Sequence, residues 1–297
     1  MLREHLRAES FRLSPALMAR SPAAAAGYLL SAHLWLAALV LAGRYLPGGA
    51  PAKVALGFVL ALLAQRALQT LVHHLSHDLL TRNRALNDAL GNLLVAGFIG
   101  MRVQSYRRIH FVHHAENGSV SDPEFIDFSI VREKGGLARY ILHYALGGEL
   151  LALVRKYYFS KESKERAAVL QMGHIALCQL LLLALFVWVA QAGYLYLVWL
   201  YVAVSWSPML SRLRFLVEHP GKDDRTVSTA GAWYEVLLFA PYQFNYHFEH
   251  HAWPALPPYR LHRAHDELRA AGYFERHPEY LVYSYVRALR AADAGLP

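Results

Sequence analysis

The sequence predicts an all-α integral membrane protein, with four transmembrane helices and a cytoplasmic helical cap that holds a histidine-rich dimetal site. Three observations lead there: long apolar runs without charge, an uneven distribution of basic residues, and histidines clustered at helical spacing. The 297 residues have a mean hydropathy of +0.19 and only 18% charged side chains, which is apolar for a soluble protein. We expect a single membrane-bound domain over residues 1–297.

The apolar runs set the number of spans. No Asp, Glu, Lys or Arg occurs between Ser21 and Gly43, and none occurs in the 45 residues from Ala167 to Ser211. Because a helix needs about 20 residues to cross the hydrocarbon core, the first run predicts one span and the second predicts two. A further run is interrupted only by Arg66. The predicted spans are therefore about 22–43, 54–73, 168–190 and 193–211.

A shorter apolar stretch, ALGNLLVAGFIGM, lies between Asp88 and Arg102. It is too short to cross a bilayer and favours an interfacial or re-entrant helix. Arg66 lies within the second predicted span, where a cation costs roughly 2.5 to 3.5 kcal/mol on insertion scales. We expect its side chain to snorkel outward; pairing between helices or contact with a polar substrate is the alternative.

The basic residues give the orientation. Arg3, Arg7, Arg12 and Arg20 precede the first span, whereas the loops on the opposite side carry few cations. By the positive-inside rule both termini are cytoplasmic, as are segments 74–167 and 212–297. We expect a bacterial inner membrane, with the active site on the cytoplasmic side. The net charge of +8 fits a surface facing anionic lipid, and nothing in the sequence requires nucleic acid. The single Cys178 excludes a disulfide framework and a thiolate cluster.

The histidines are placed unevenly. Nine of the 17 fall in four places, each on the predicted cytoplasmic side, and many have the i, i+3 or i+4 spacing that puts imidazoles on one helix face. A single zinc would use only three or four of them, so two ions fit better, although imidazole alone does not select the metal. The nine candidate ligands are His73, His77, His110, His113, His114, His219, His247, His250 and His251.

Three segments around these histidines resemble the boxes HxxxH, HxxHH and HxxHH of the integral-membrane fatty acid desaturase superfamily. The segments are HHLSHDLLTRNRALND, YRRIHFVHHAENGSVSDPEF and FNYHFEHHAWPALPPYRL, and the resemblance covers about residues 60 to 265. It implies a non-haem di-iron centre that uses O2 to attack an unactivated C–H bond of a lipid chain. It also implies that the nine histidines are ligands, with His219 matching an extra ligand of many bacterial members, and that electrons come from an external ferredoxin or rubredoxin.

Several functions remain open on this resemblance. A fatty acid desaturase is the first candidate, and a hydroxylase, ketolase or oxidative decarboxylase on the same scaffold is the alternative. A candidate of another class is a membrane protein that binds metal or haem without catalysis. The ligand set does not distinguish desaturation, in which the substrate loses a second hydrogen, from hydroxylation, in which oxygen is returned to the substrate.

Other polar residues have weaker predicted roles. Metal-bound imidazoles usually donate their second N–H to a carboxylate or carbonyl, and a solvated side chain or helix cap is the alternative for each candidate partner. His74 is an alternative to His73 as the metal ligand in the first box. We expect His33 and His174 to pack within spans. Surface roles are expected for His143, His262, His265 and His277. The candidate partners of the ligands are Asp78, Glu116, Asp122, Glu218, Asn245 and Glu249.

Overall fold

The computed structural model of the protein describes residue 6 and residues 11–148, 167–221 and 225–295, with only the backbone described for 167–172. The predictions made for Arg3, Arg7 and residues 149–166 lie outside these residues. The described chain is mostly helical. Its α-helices are α1 (Pro22–Tyr45), α2 (Ala50–Ser76), α3 (Arg84–Leu94), α4 (Val103–Glu116), α5 (Ser129–Glu133), α6 (Leu137–Ala145), α7 (Ala167–Ala184), α8 (Tyr194–Val204), α9 (Trp206–Glu218), α10 (Trp233–Phe239), α11 (His247–Ala252), α12 (Leu261–Ala270), α13 (Tyr273–Arg276) and α14 (Tyr285–Asp293).

Three segments among the described residues are long and apolar enough to cross a membrane: α1, α2, and α8 with α9 taken together as Tyr194–Glu218. A π-helical turn, Leu185–Val189, continues α7, and the apolar part of this helix, Gly173–Val189, is shorter than the others. Three candidate spans therefore indicate a membrane protein, and the fourth span at 168–190 stays a prediction.

The chain divides into two compact units. The first comprises residues 1–24, 108–141 and 210–297, and the second comprises residues 25–107 and 142–209. The division interrupts α4 after Arg107, so the second-box histidines belong to the first unit and the first box belongs to the second unit. Each unit is described separately below.

The second unit is built from α2, α3, α7 and α8, with a 3-10 turn at Ala96–Ile99. Glycine allows α2 and α8 to pack closely, since a Cβ at Gly57 would lie 2.8 Å from Leu195 Cδ2. The Gln179 side chain donates to the carbonyls of Gly97 at 3.0 Å and Phe98 at 2.9 Å. These bonds satisfy backbone acceptors that would be costly to leave without partners in an apolar setting. The predicted interfacial stretch is thus a short helix and a 3-10 turn packed on longer helices.

Arg66 does not snorkel outward as predicted. Its residue is only 2% exposed, and its guanidinium donates to Gln69 Oε1 at 2.6 Å and to the Ser207 carbonyl at 3.5 Å. Ser207 lies on α9, so the alternative, polar pairing between helices, describes this residue better. Polar partners inside the helix packing explain how the cation is accommodated.

The first unit surrounds the third histidine box with short helices. A buried cluster joins α11 to α12 and α13 through Phe248, Leu268 and Tyr273. Two parallel two-residue strands, β1 (Ser228–Thr229) and β2 (Leu281–Val282), depart slightly from the all-helical prediction. They bring the start of α14 beside the chain that precedes α10, which matters for the candidate site.

Candidate metal centre

The second and third boxes lie on helices of the first unit. His110, His113 and His114 occupy the last two turns of α4, and α11 begins at His247 and contains His250 and His251. Just before α11, Tyr242 and Gln243 have φ values of 59° and 63°, a left-handed conformation that non-glycine residues seldom adopt. The Gln243 side chain is fixed there by the backbone and ring N–H groups of His262. This turn sets the direction in which the third box enters the site.

The seven candidate ligands of the first unit form two groups. Ring nitrogens of His113, His219, His247 and His251 all lie within 4.8 Å of one another. The nitrogens of His110, His114 and His250 satisfy the same limit. Two helices and the residue after α9 therefore bring together two sets of imidazoles, as the box spacing predicts.

The spacing of these nitrogens suits metal coordination. His114 Nε2 lies 2.9 Å from His110 Nε2 and 3.0 Å from His250 Nε2, and His219 Nε2 lies 2.9 Å from His247 Nε2. Imidazole binds a divalent metal at roughly 2.0–2.1 Å, so two ligands at a right angle lie about 3.0 Å apart. Among the described residues, the buried nitrogens His219 Nδ1 and His251 Nε2 have no hydrogen-bond partner. The donor set therefore fits two metal ions.

Burial keeps the imidazoles of His219, His247 and His251 neutral. It lowers the pKa of His219, His247 and His251 well below the usual value, and repulsion from neighbouring histidines adds to the effect. The Arg214 guanidinium also lowers the pKa values of His219 and His247. Neutral rings expose a lone pair, which is the form of histidine that binds metal.

Carboxylates bond two of the rings and lie near a third. Asp122 Oδ2 lies 2.9 Å from His113 Nδ1, and its side chain is 1% exposed. Glu218 Oε2 lies 3.5 Å from His247 Nδ1, and its side chain is fully buried. Glu124 Oε2 lies 3.2 Å from His110 Nδ1, although Glu124 was not among the predicted partners. In His110 and His113 the carboxylate is hydrogen-bonded to Nδ1, so Nε2 is the nitrogen that can bind a metal.

The other predicted partners have different neighbours. Glu116 is exposed and accepts a bond from Ser119. The Asn245 side chain donates to the Thr229 carbonyl at 2.9 Å. Glu249 is fully buried, where it accepts bonds from His265 Nδ1 at 2.6 Å and from the Ser228 hydroxyl. Glu249 thus secures the back of α11 to α12 and β1.

His265 is not the surface residue that the sequence predicts. It is 5% exposed, and its ring also packs on Phe274 at 4.7 Å between centroids. Outside the boxes, His33 Nδ1 meets the Leu29 carbonyl at 2.8 Å, and His174 Nε2 meets the Met101 carbonyl at 3.4 Å. The roles predicted for His33 and His174, packing and hydrogen bonding within helices, agree with these contacts.

The first box lies in the second unit at the end of α2. The helix ends at Ser76, so His77 caps it and does not continue a straight helix as the sequence predicts. The His73 and His77 rings are nevertheless 5.3 Å apart. Burial and the nearby Arg107 guanidinium lower the pKa of His77 to about 3. His74 Nδ1 lies 3.4 Å from His73 Nδ1.

Arg107 holds this helix end in place. Its guanidinium donates to both carboxylate oxygens of Asp88, at 2.7 and 2.6 Å, and to Asp78 at 3.1 Å. It also donates to the carbonyls of Ser76 at 2.8 Å and Leu75 at 3.0 Å. These are carbonyls at the C-terminus of α2, where the intrahelical bonding pattern ends. Asp78, predicted to orient a ligand, accepts from this arginine.

These features define a helical membrane protein that carries two groups of closely spaced, largely buried imidazoles with carboxylates beside them. The chain belongs to the fatty acid desaturase family, since the family model described as "Fatty acid desaturase" matches residues 49–284. It is also 26% identical over 198 residues to beta-carotene 4-ketolase 3 of Haematococcus lacustris, a match that covers 61% of this chain. The chain spans about half the length of that relative, 52%. Family and histidine groups together fit a di-iron, oxidoreductase type of site.

Proposed function

We propose that this protein is an O2-dependent oxidoreductase of the membrane that oxidises C–H bonds of a lipid, with fatty acyl chain desaturation as the first candidate reaction. The observation that carries the proposal is the pair of imidazole groups in the first unit, within a chain of the desaturase family. Their rings provide more nitrogen ligands than one zinc ion uses.

Two iron ions are the proposed occupants, with the eight box histidines and His219 as ligands. His113, His219, His247 and His251 form one ligand group, and His110, His114 and His250 belong to the other. His73 and His77 enter the proposal on the resemblance of the first box. When bound, the irons would supply the activation of dioxygen needed to remove hydrogen from an unactivated C–H bond.

The protein's own residues prepare this chemistry. Asp122, Glu124 and Glu218 face the Nδ1 atoms of three rings and direct each ring's other nitrogen toward the metal side. Burial of His113, His219 and His247 limits the access of water to their group, which would protect a reactive oxidant from side reactions. We propose a single domain with four spans, a cytoplasmic active site and cytoplasmic termini in a bacterial inner membrane. Electrons would come from an external donor of the ferredoxin or rubredoxin type.

A second candidate reaction is oxygen insertion into a carotenoid. The similarity to a protein named as a beta-carotene ketolase favours it, although the identity is only 26%. Desaturation removes two hydrogens from the substrate, whereas ketolation replaces two hydrogens with oxygen. The two candidates therefore differ in product mass.

The test is expression in a bacterial host that has a compatible electron donor, with and without β-carotene synthesis, followed by mass analysis of acyl lipids and carotenoids. Wild-type protein should give a new product, and His250→Ala should abolish it because the variant removes a ring nitrogen from one group. His174→Ala is the matched control, since this histidine lies outside the boxes, and it should keep the product. A wild-type protein that forms no product and consumes no oxygen with donor and lipid would contradict the proposal and favour a non-catalytic metal or haem binding protein.

A further inference from the structure

A tyrosine of the C-terminal helix reaches the carboxylate behind the third box. The Tyr285 hydroxyl donates to Glu218 Oε1 at 2.6 Å. The other oxygen, Oε2, accepts from Arg214 Nη1 at 2.7 Å and lies 3.5 Å from His247 Nδ1. Glu218 and Tyr285 are both fully buried. One carboxylate thus accepts hydrogen bonds from a tyrosine and an arginine and lies beside a candidate ligand.

Tyr285 is held rigidly at the first position of α14. Its backbone N–H donates to Glu235 Oε2 at 2.8 Å, and Glu235 Oε1 accepts from the Ser284 hydroxyl, also at 2.8 Å. Its ring stacks on Phe239, with centroids 4.9 Å apart and planes at 20°. Both Glu235 and Phe239 belong to α10. These contacts fix the position of the Tyr285 hydroxyl and so the direction of its hydrogen bond to the Glu218 carboxylate.

The hydroxyl is a donor to this carboxylate at physiological pH. Burial raises the pKa of Tyr285 well above its usual value, and the negative charge of Glu218 adds to the effect. A buried carboxylate that accepts two short bonds has little freedom to rotate. Its Oε2 then stays 3.5 Å from the buried His247 Nδ1, a separation longer than a hydrogen bond, where the carboxylate charge favours a ring with its proton on Nδ1 and its lone pair on Nε2.

We propose that Tyr285 is a positioning residue, which acts through Glu218 to orient His247 toward the metal. The proposal rests on the proposed role of His247 as a metal ligand. It extends the functional site beyond the three boxes to a residue 34 positions after His251, on a helix that no box motif includes.

The test uses Tyr285→Phe, which removes the hydroxyl and keeps the ring that stacks on Phe239. The matched control is Tyr283→Phe, because Tyr283 is 70% exposed. Full-length metal-free protein in detergent is titrated with Co²⁺, and the visible absorption of the bound ion is recorded. Loss of an outer partner typically weakens metal binding about 10- to 100-fold. We expect such a loss, with a changed cobalt spectrum, in Tyr285→Phe and wild-type behaviour in the control.

A double-mutant cycle with Glu218→Gln tests the route through the carboxylate. If Tyr285 acts through Glu218, adding Tyr285→Phe to Glu218→Gln should cause little further loss of affinity. Additive losses, or a Tyr285→Phe protein with wild-type affinity and spectrum, would overturn the inference and leave the proposed function intact. A wild-type protein that binds no Co²⁺ would overturn both. If Tyr285→Phe does not fold, Glu235→Gln replaces it in the cycle, because this variant weakens the bond that places Tyr285, and the same criterion applies.

Discussion

Single carboxylates decide which nitrogen each imidazole can offer. Asp122 and Glu218 were predictable, because they lie within nine sequence positions of a box histidine or directly beside one. Glu124 was missed although it is only two residues after Asp122, since the turn that aims both side chains at α4 depends on loop geometry. Tyr285 and His265 were missed because their contacts depend on long-range packing, on which helical spacing carries no information.

The Asp122 carboxylate gives the most direct prediction at this scale. Asp122→Asn preserves the shape of the side chain but removes the charge that favours the His113 Nδ1–H donor. We expect metal affinity to fall about 10- to 100-fold, as is usual when an outer partner of a ligand is changed. Metal titration of the purified protein measures the change.

The control for this substitution is Asp266→Asn, because Asp266 is exposed on α12. The control should bind metal like the wild type. Equal affinity in Asp122→Asn and the wild type would show that the His113–Asp122 bond does not set the orientation of the ring.

At the scale of elements, the helical spacing predicted the helices of the second and third boxes correctly. The spacing i, i+3, i+4 does place three imidazoles on α4 and three on α11. The first box departs from the pattern because α2 ends at Ser76, where Arg107 binds the terminal carbonyls. A helix end fixed by a residue 31 positions away could not be read from local sequence.

This helix end gives the second prediction. Arg107→Lys keeps the charge but cannot reproduce the planar fork that binds both oxygens of Asp88. Lysine cannot make all five hydrogen bonds of this guanidinium, and each lost bond to a charged group typically costs about 1.5–3 kcal/mol. We expect a clearly lower midpoint of thermal unfolding in detergent and weaker metal binding.

Arg108→Lys is the matched control, since Arg108 is the exposed neighbour on the same helix. It should leave both measurements unchanged. An Arg107→Lys protein with the wild-type midpoint would mean that the hydrogen bonds of Arg107 contribute little to the end of α2.

At the scale of the whole molecule, composition alone predicted a membrane protein. The exposed side chains of α1, among them Leu30 at 62% and Leu34 at 59%, give that helix an apolar outer face suited to lipid. The number of spans was harder to predict, because the long uncharged run from Ala167 to Ser211 folds into one long segment and one shorter apolar helix. Run length fixes how much chain is apolar, but helix breaks such as the one at Ser205 depend on packing.

The central claim is that clustered box histidines bind two redox-active metal ions. The most direct measurement is the metal content of full-length protein purified anaerobically after expression with added iron, determined by elemental analysis and Mössbauer spectroscopy. We expect close to two iron ions per chain in a coupled pair, and a large loss of iron in His114→Ala but not in His174→Ala. A single zinc ion per chain, or no bound metal after iron reconstitution, would contradict it.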